Sequence, residues 1–486
     1  MNEDRDAREL DRLGYRQELR RRLGGFSSFA IGFSVISVLT GITSTFGDAF
    51  GAGGPVGLGA GWPLVSAGTL LVALAMAELA SAFPTAGALY HWSALLGGAA
   101  WGWATAMLNL VGQIAIVAAV DLACAQALAQ SLALPAGAEY GLFVLVLLVH
   151  GALNATSVRL VAWLNDASAT VHVVGVATLA ALLFRARAHD AGYLLSTAPT
   201  TRPDGSLPLG FLQALVLGVW TFTGFDAAAH VSEETHDPRR RAPMGIVSSV
   251  AVSALAGFAL VAALVLAVRD PTAAAGAPDA ALQVLSGALG PLAGRFALGL
   301  AVVAMWFAGL SSVTSASRML FAFARDDGLP LSGWLRRVRP ATGTPVVATA
   351  ACVVAAVALV AATIPLSPAV FLAVAALATV ALYASYALPV ALGAVARGRG
   401  RWTRSGPWSL GRAGVPVAWA AVAWTLLVFV VCALANSAAM ASFVVILGFL
   451  AALWTLVVRR SFHGPKVDLA HFESPPVPKG STSLPQ

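Results

Sequence analysis

From residue 26 to residue 458 the chain runs as one apolar stretch after another, each about as long as a bilayer is thick. Nothing else in the sequence constrains the fold so strongly. A helix rises 1.5 Å per residue, so about 20 mostly apolar residues cross the hydrocarbon layer. On that basis the candidate spans are 26–48, 60–83, 99–130, 139–157, 159–184, 209–234, 243–268, 291–323, 345–364, 368–395, 415–435 and 439–458. Only 11% of the 486 residues are charged, too few to clothe soluble domains, which carry about 25%. The expected fold class is therefore an all-α polytopic membrane protein with twelve transmembrane helices. Cys124, Cys352 and Cys432 fall inside apolar runs without metal-ligand or paired spacing, so they read as small buried hydrophobes.

Orientation follows from the basic residues in the loops. Counting alternate loops, one side collects 24 of the 30 Lys and Arg, including seven Arg in residues 1–25 and the run Arg239–Arg240–Arg241. Both termini are expected on the cytoplasmic side of a plasma (inner) membrane, which requires an even number of spans. A pI near 9.8 then reflects topology and not a nucleic-acid partner. The charged first 25 residues argue against a cleavable signal peptide, and 1–22 reads as a surface helix. The stretch from Phe462 reads as a disordered end, within a tail at 459–486. The net charge comes from 28 Arg and 2 Lys, and with the Ala-rich runs this bias points to a GC-rich bacterial genome.

Polar interruptions recur in two places. Leu39-Thr40-Gly41-Ile42-Thr43 lies in the first span and Phe222-Thr223-Gly224-Phe225-Asp226 in the sixth. The two are five spans apart, so they would have opposite orientations in the membrane, as in an inverted repeat. Gly costs about 1 kcal/mol relative to Ala inside a helix. Thr-Gly at matching places suggests either broken helices lining a cavity or two ordinary packing sites.

Several strings, taken in order, resemble the amino acid–polyamine–organocation transporter superfamily, in particular its amino acid/choline branch. They are Leu13-Gly14-Tyr15-Arg16-Gln17-Glu18-Leu19, Ser34 to Thr43, Met76-Ala77-Glu78-Leu79-Ala80-Ser81-Ala82-Phe83-Pro84-Thr85-Ala86-Gly87, Asn109-Leu110-Val111-Gly112-Gln113, Gly224 to Thr235, and Ser317 to Pro330. Ala88 departs from the pattern, standing where the family often has a second Gly. The resemblance implies a LeuT-like fold of two inverted five-helix repeats, here 26–184 and 209–395, plus two further helices within 415–458. It also implies alternating access to a substrate site among spans one, three, six and eight.

In such a fold a half-helix N-terminus suits a carboxylate, and exposed carbonyls suit an ammonium. Thr40, Gly41, Ile42 and Thr43 would then receive the anionic end of a substrate, and Thr223, Gly224 and Phe225 its amino group. Asp226 is a candidate for cation binding or proton coupling, or for a pair with His172; a structural counter-ion is the alternative. Trp220 could stack on an ammonium or simply pack. Gln113, one turn from Asn109, could read a substrate side chain or bond between helices. His172, central in its span, could carry a coupling proton where sodium-coupled relatives hold a cation, or be a structural histidine. Glu78 is a gating or coupling carboxylate candidate. Ser311, Ser312 and Thr314, with Ser315, could instead ligate sodium or serve helix contacts. Arg318 is explained by snorkelling.

The Gly-rich stretch 51–61 lacks dinucleotide-binding spacing and reads as the loop into span two; no Walker-type string exists. No enzyme activity, cofactor, resident metal or obligate protein partner is expected; the partners are membrane lipid and a small-molecule substrate. The functional expectation is a proton-coupled secondary transporter for an amino acid or related amine. The alternatives are an exchanger, a choline, GABA or polyamine carrier, or a non-transporting sensor.

Overall fold

A computed structural model describes residues 2–197, 207–275, 277, 279–402 and 405–466. The helices are α1 (Asn2–Arg12), α2 (Gly25–Ile36), α3 (Val38–Gly59), α4 (Gly61–Ala82), α5 (Leu89–Gly97), α6 (Ala99–Ser131), α7 (Ala138–Thr156), α8 (Val158–Arg185), α9 (Leu207–Thr221) and α10 (Ala227–His230). They continue as α11 (Pro238–Ala267), α12 (Pro271–Ala274), α13 (Ala280–Leu289), α14 (Pro291–Arg325), α15 (Ser332–Leu335), α16 (Val346–Thr363), α17 (Val370–Gly398), α18 (Gly414–Ala435) and α19 (Ser437–Leu456). Among the described residues, 11 helical stretches are long and apolar enough to cross a membrane, α2 and α3 together forming the first.

Ten of the predicted spans coincide with continuous helices. The largest shift is at α11, which begins at Pro238 and not 243, because Asp237 ends the preceding turn and proline is tolerated in the first helical turn. The sixth predicted span, 209–234, is not continuous. Helix α9 has 15 residues, short of the ~20 that cross a bilayer, and ends at Thr221. A turn with Gly224 at φ 87° follows, then the single turn α10. Of the two readings open for Thr223-Gly224, a break or a packing site, the break is the one found.

The first span also breaks, but at Ser37 and not at Thr40-Gly41. Ser37 adopts φ 36°, ψ 78°, and Thr40 and Gly41 lie within α3. Gly41 serves a different need. Helix α3 crosses α9 so closely that a Cβ on Gly41 would lie 2.0 Å from Thr221 Oγ1. Glycine in a helix can mark either a break or a close crossing, and sequence alone does not separate the two.

Three further expectations are corrected. Residues 51–59 are helical, the end of α3, kinked at Gly54-Pro55. A Cβ at Gly53 or Gly57 would come within 2.7 Å of Ala214 in α9, so close helix packing offsets their poor propensity. The N-terminal segment is helical only over Asn2–Arg12 and is packed down on one side: Leu10, Leu13, Tyr15, Leu19 and Leu23 are buried, while Arg8, Asp11, Arg16, Glu18, Arg20 and Arg22 are exposed. Phe462, where the disordered end was expected to begin, is buried too, against Tyr90, Phe323 and Trp454. The tail beyond 466 lies outside the described residues. Ala88 keeps the turn that glycine favours, at φ 40°.

Loops carrying most of the basic charge join on one face of the bundle. Arg22 and Leu23 amides donate to the Glu234 carbonyl, Arg239 binds Glu9, Ser81 donates to the Arg239 carbonyl, and Lys466 binds Asp327. We call this the N-terminal face.

Candidate functional site

The two interruptions meet in the interior. A Cβ on Gly224 would lie 2.2 Å from Val35 Cγ1, so only glycine lets the turn after α9 pass the end of α2. Just beyond that turn, Asp226 is fully buried and surrounded by donors. Its Oδ2 accepts from Asn109 Nδ2 at 2.9 Å and Gln113 Nε2 at 3.1 Å, both on α6. His230 Nε2, one turn along, lies 3.1 Å from the same oxygen. Its Oδ1 accepts from the Tyr386 hydroxyl of α17 at 2.9 Å, and that hydroxyl accepts from the Gly224 amide at 3.1 Å. A buried carboxylate is tolerable only when paired and hydrogen-bonded, and here both conditions are met within the protein.

Asp226 therefore pairs with His230 and not with His172. His172 supports the other interruption. Its Nδ1 lies 2.9 Å from the Ser168 carbonyl and its Nε2 2.8 Å from Ser37 Oγ, the residue at which the first span breaks. Ser37 Oγ in turn lies 2.6 Å from Thr40 Oγ1. Its ring partners here are a carbonyl and a hydroxyl, which suit a neutral imidazole. Each interruption thus has its own histidine.

The remaining expected residues separate into groups. Thr40, Ile42, Gln113, Trp220, Thr223, Phe225 and Asp226 are buried around the two interruptions, as is Gly41 at its crossing with Thr221. Thr223 donates to the Trp220 carbonyl at 2.7 Å. Gln113 turns its amide nitrogen to Asp226, while its Oε1 and Asn109 Oδ1 are buried without a hydrogen-bond partner among the described residues. Thr43 reaches a cavity of about 470 Å³, shared with Ser44, Asp48, Gln126, Asp279 and Phe371. Trp220 lines a second cavity of about 270 Å³ and packs edge-on against Phe371.

Glu78 stands apart. It pairs with Arg397 at 2.6 Å and accepts from the Leu410 amide at 2.9 Å, tying α4 to α17 and to the chain before α18. Ser311 donates to Asn165, Ser312 to the Ala308 carbonyl, and Thr314 to Asn154 Oδ1 at 2.7 Å. Ser311 and Thr314 thus reach neighbouring helices and Ser312 its own, while Ser315 Oγ is buried without a hydrogen-bond partner among the described residues. Arg318 does not snorkel: it is fully buried and pairs with Glu234 at 2.8 Å.

Towards the N-terminal face the interior is sealed by charge. Arg325 grips Glu233 through two nitrogens, at 3.0 and 2.8 Å. The Ala86 amide donates to Glu233 Oε1 at 3.0 Å, while His230 Nδ1 lies 3.1 Å from the Ala86 carbonyl. Asp326 holds Tyr15, Tyr90 and His91 at 2.8, 3.1 and 3.0 Å. Gln17 Nε2 donates to the Glu233 carbonyl at 2.9 Å, so the N-terminal segment is stitched across the seal. Burial pushes the Tyr15 hydroxyl upward, with further help from the Asp326 charge, so it remains a donor. Burial works to raise the Asp326 carboxyl, but the hydrogen bond and charge of His91, with Arg325 and Tyr15, hold it below the ordinary range.

Sequence reasoning missed His230, Tyr386, Ser37 and the Asp326 cluster. His230 had a signal, four residues after Asp226 and so on the same helical face. Tyr386 is 160 residues away and had none.

The amino acid permease family model matches residues 23–457. The chain is 34% identical over 451 residues to the amino-acid permease BAT1 of Arabidopsis thaliana, covering 87% of each chain. It is 35% identical over 448 residues to the BAT1 homolog of Oryza sativa subsp. japonica, covering 85% of each. It is 28% identical over 370 residues to the GABA-specific permease of Saccharomyces cerevisiae, covering 72% of this chain and 65% of that one.

Proposed function

The chain belongs to the amino acid permease family and is a multi-pass membrane transporter of amino acids; we propose that it works by alternating access and is driven by protons. The observation that carries alternating access is an asymmetry. A cavity of about 470 Å³ reaches Thr43 and Ser44 of α3 just past the first interruption, while the N-terminal face is closed by Arg325–Glu233 and Arg318–Glu234. That volume falls within the range of small-molecule sites. The two interruptions between them are the hinge points about which half-helices can move.

The substrate is an amino acid or a related amine, and the GABA-specific relative extends the range to ω-amino acids. Support for an amine comes from Asn109 Oδ1 and Gln113 Oε1, two buried acceptors one turn apart with no donor among the described residues. The Asp226 carboxylate already holds four donors, so the amide oxygens are the better receptors for an ammonium. A carboxylate fits the first turn of α3, which opens at Val38 and Leu39 because the Thr40 amide already bonds Ser37 Oγ at 3.4 Å.

The 24 basic residues gathered on alternate loops support a cytoplasmic N-terminal face in a plasma membrane. Of the α14 hydroxyls, Ser311 and Thr314 are engaged with neighbouring helices, while Ser315 Oγ has no partner among the described residues and keeps sodium as the second reading. The plant and yeast relatives named above weaken the bacterial origin that the composition suggested.

Proteoliposome uptake tests the reading. Labelled 4-aminobutyrate, alanine, arginine, glutamate and choline are offered with an imposed pH or sodium gradient. Accumulation under the pH gradient is expected for at least one compound. Counterflow without accumulation under either gradient would establish an exchanger instead.

A further inference from the structure

We infer that the coupling proton of this carrier sits on the His230–Asp226 pair, and that its loss unties the interior from the seal at the N-terminal face. The inference rests on the proton coupling proposed above. It begins from hydrogen-bond chemistry. His230 is fully buried, and each of its ring nitrogens faces an acceptor: Nδ1 the Ala86 carbonyl at 3.1 Å, Nε2 the Asp226 carboxylate at 3.1 Å. A neutral imidazole carries one N–H and can satisfy only one of them; an imidazolium satisfies both. The alternative, a proton on Asp226 Oδ2, would make that atom an acid hydroxyl while two amide N–H groups from Asn109 and Gln113 still point at it. Three donors on Oδ2 and Tyr386 on Oδ1 favour the carboxylate. The pair is therefore an internal imidazolium–carboxylate, neutral in sum.

The other charged groups around it are accounted for. Glu233 is held by Arg325 and Glu234 by Arg318, both on α14. Helix α2 carries no titratable residue. Helix α11 carries Arg239, Arg240 and Arg241 at its start, where Arg239 binds Glu9. His91 faces Asp326, and from α17 the nearest titratable group is the Tyr386 phenol on Asp226 itself. Among the described residues, His230 is the one cation paired with Asp226.

The mechanical consequence lies in Ala86. Its carbonyl faces His230, and its amide donates to Glu233, the partner of Arg325. One residue thus joins the central pair to the seal. Removing a proton from His230 leaves one N–H for two acceptors, so either Ala86 or Asp226 loses its donor. If Ala86 is released, the seal loses its inward tether. If Asp226 is released, a buried carboxylate loses the cation paired with it. Either way the closed N-terminal face is disfavoured, and reprotonation restores it.

Histidine 15N NMR in lipid nanodiscs reads this directly, with His230 assigned by the signal lost in His230→Gln. An imidazolium with both nitrogens protonated is expected at neutral pH, becoming neutral in Asp226→Asn. A neutral wild-type ring, or an imidazolium that persists in Asp226→Asn, would overturn the inference. Proteoliposomes separate it from the broader reading. His230→Gln is expected to lose pH-driven accumulation of the transported compound from the panel above, and the counterflow that remains no longer to respond to pH as that of the wild type does. Accumulation that persists in His230→Gln defeats this assignment and leaves proton coupling standing. No response of the wild type to a pH gradient defeats proton coupling itself.

Discussion

Arg325 and Glu233 form a two-nitrogen ion pair with both side chains out of solvent, at 2.8 and 3.0 Å. The guanidinium also lies 4.0 Å over the Tyr15 ring, so a helix end, the segment after α10 and the N-terminal segment converge on one charge. Removing one partner of a buried pair costs about 3–5 kcal/mol, because the other is left uncompensated. Glu233→Gln is therefore expected to open the N-terminal face. A reporter cysteine in place of the buried Ser232 should then react faster with a polar maleimide than it does with Glu233 intact. Equal rates would mean that the apolar packing alone holds the face closed.

The clasp of Asp326 on Tyr15 and His91 should depend on pH. The carboxyl is held below its ordinary range in the folded protein, so its contribution is fully present above the unfolded value. That contribution is lost as pH falls through the lowered one. A spin label at position 11 should be immobile at neutral pH and become mobile in acid. Tyr15→Phe removes a hydrogen bond worth about 1–3 kcal/mol to a charged group and should move that release to higher pH. Identical profiles for both proteins would show that Tyr15 does not hold the segment.

Gly41 should not tolerate a side chain. A Cβ there would meet Thr221 Oγ1 at 2.0 Å and its Cβ at 2.6 Å, so Thr221→Ala relieves only part of the clash. Overpacking of this kind costs about 1–3 kcal/mol or more. Gly41→Ala is expected to lower the melting temperature and abolish counterflow, with partial recovery when Thr221→Ala is added. Full activity of Gly41→Ala would show that α3 and α9 can separate freely.

Asp121 of α6 and His150 of α7 form a further buried pair, at 3.1 Å, against Gly309 of α14. Asp121→Asn or His150→Leu alone should destabilise by roughly 3–5 kcal/mol, and the two together by less than their sum. Thermal unfolding of the four proteins forms the cycle. Additive losses would mean that the residues do not act as a pair.

What could be read from the chain follows from the reach of each signal. The spans were legible because length and apolarity are local, and ten of them coincide with helices. Thr223-Gly224 was legible as a break because polar residues and a flexible one fall together within an apolar run. The same signature did not separate a break from a crossing in the first span, where Gly41 serves a crossing and the break falls at Ser37, bonded to His172. The sequence also offered His172 among the possible partners of Asp226, because two lone titratable residues at similar depth look like partners when their rotation about the helix axes is unknown. Arg318 was read as snorkelling for the same reason: Glu234 is 84 residues away in the chain and 2.8 Å away in space.

By itself the sequence determined that this chain enters a membrane, where its helices run and where apolarity is interrupted, because the bilayer selects on length and composition one segment at a time. Only the tertiary structure decided which buried polar groups are partners. Asp226 takes donors from residues 109, 113, 230 and 386, on three separate parts of the bundle. In a low-dielectric interior each such group must find a partner, but which one it finds depends on how the helices are turned against one another.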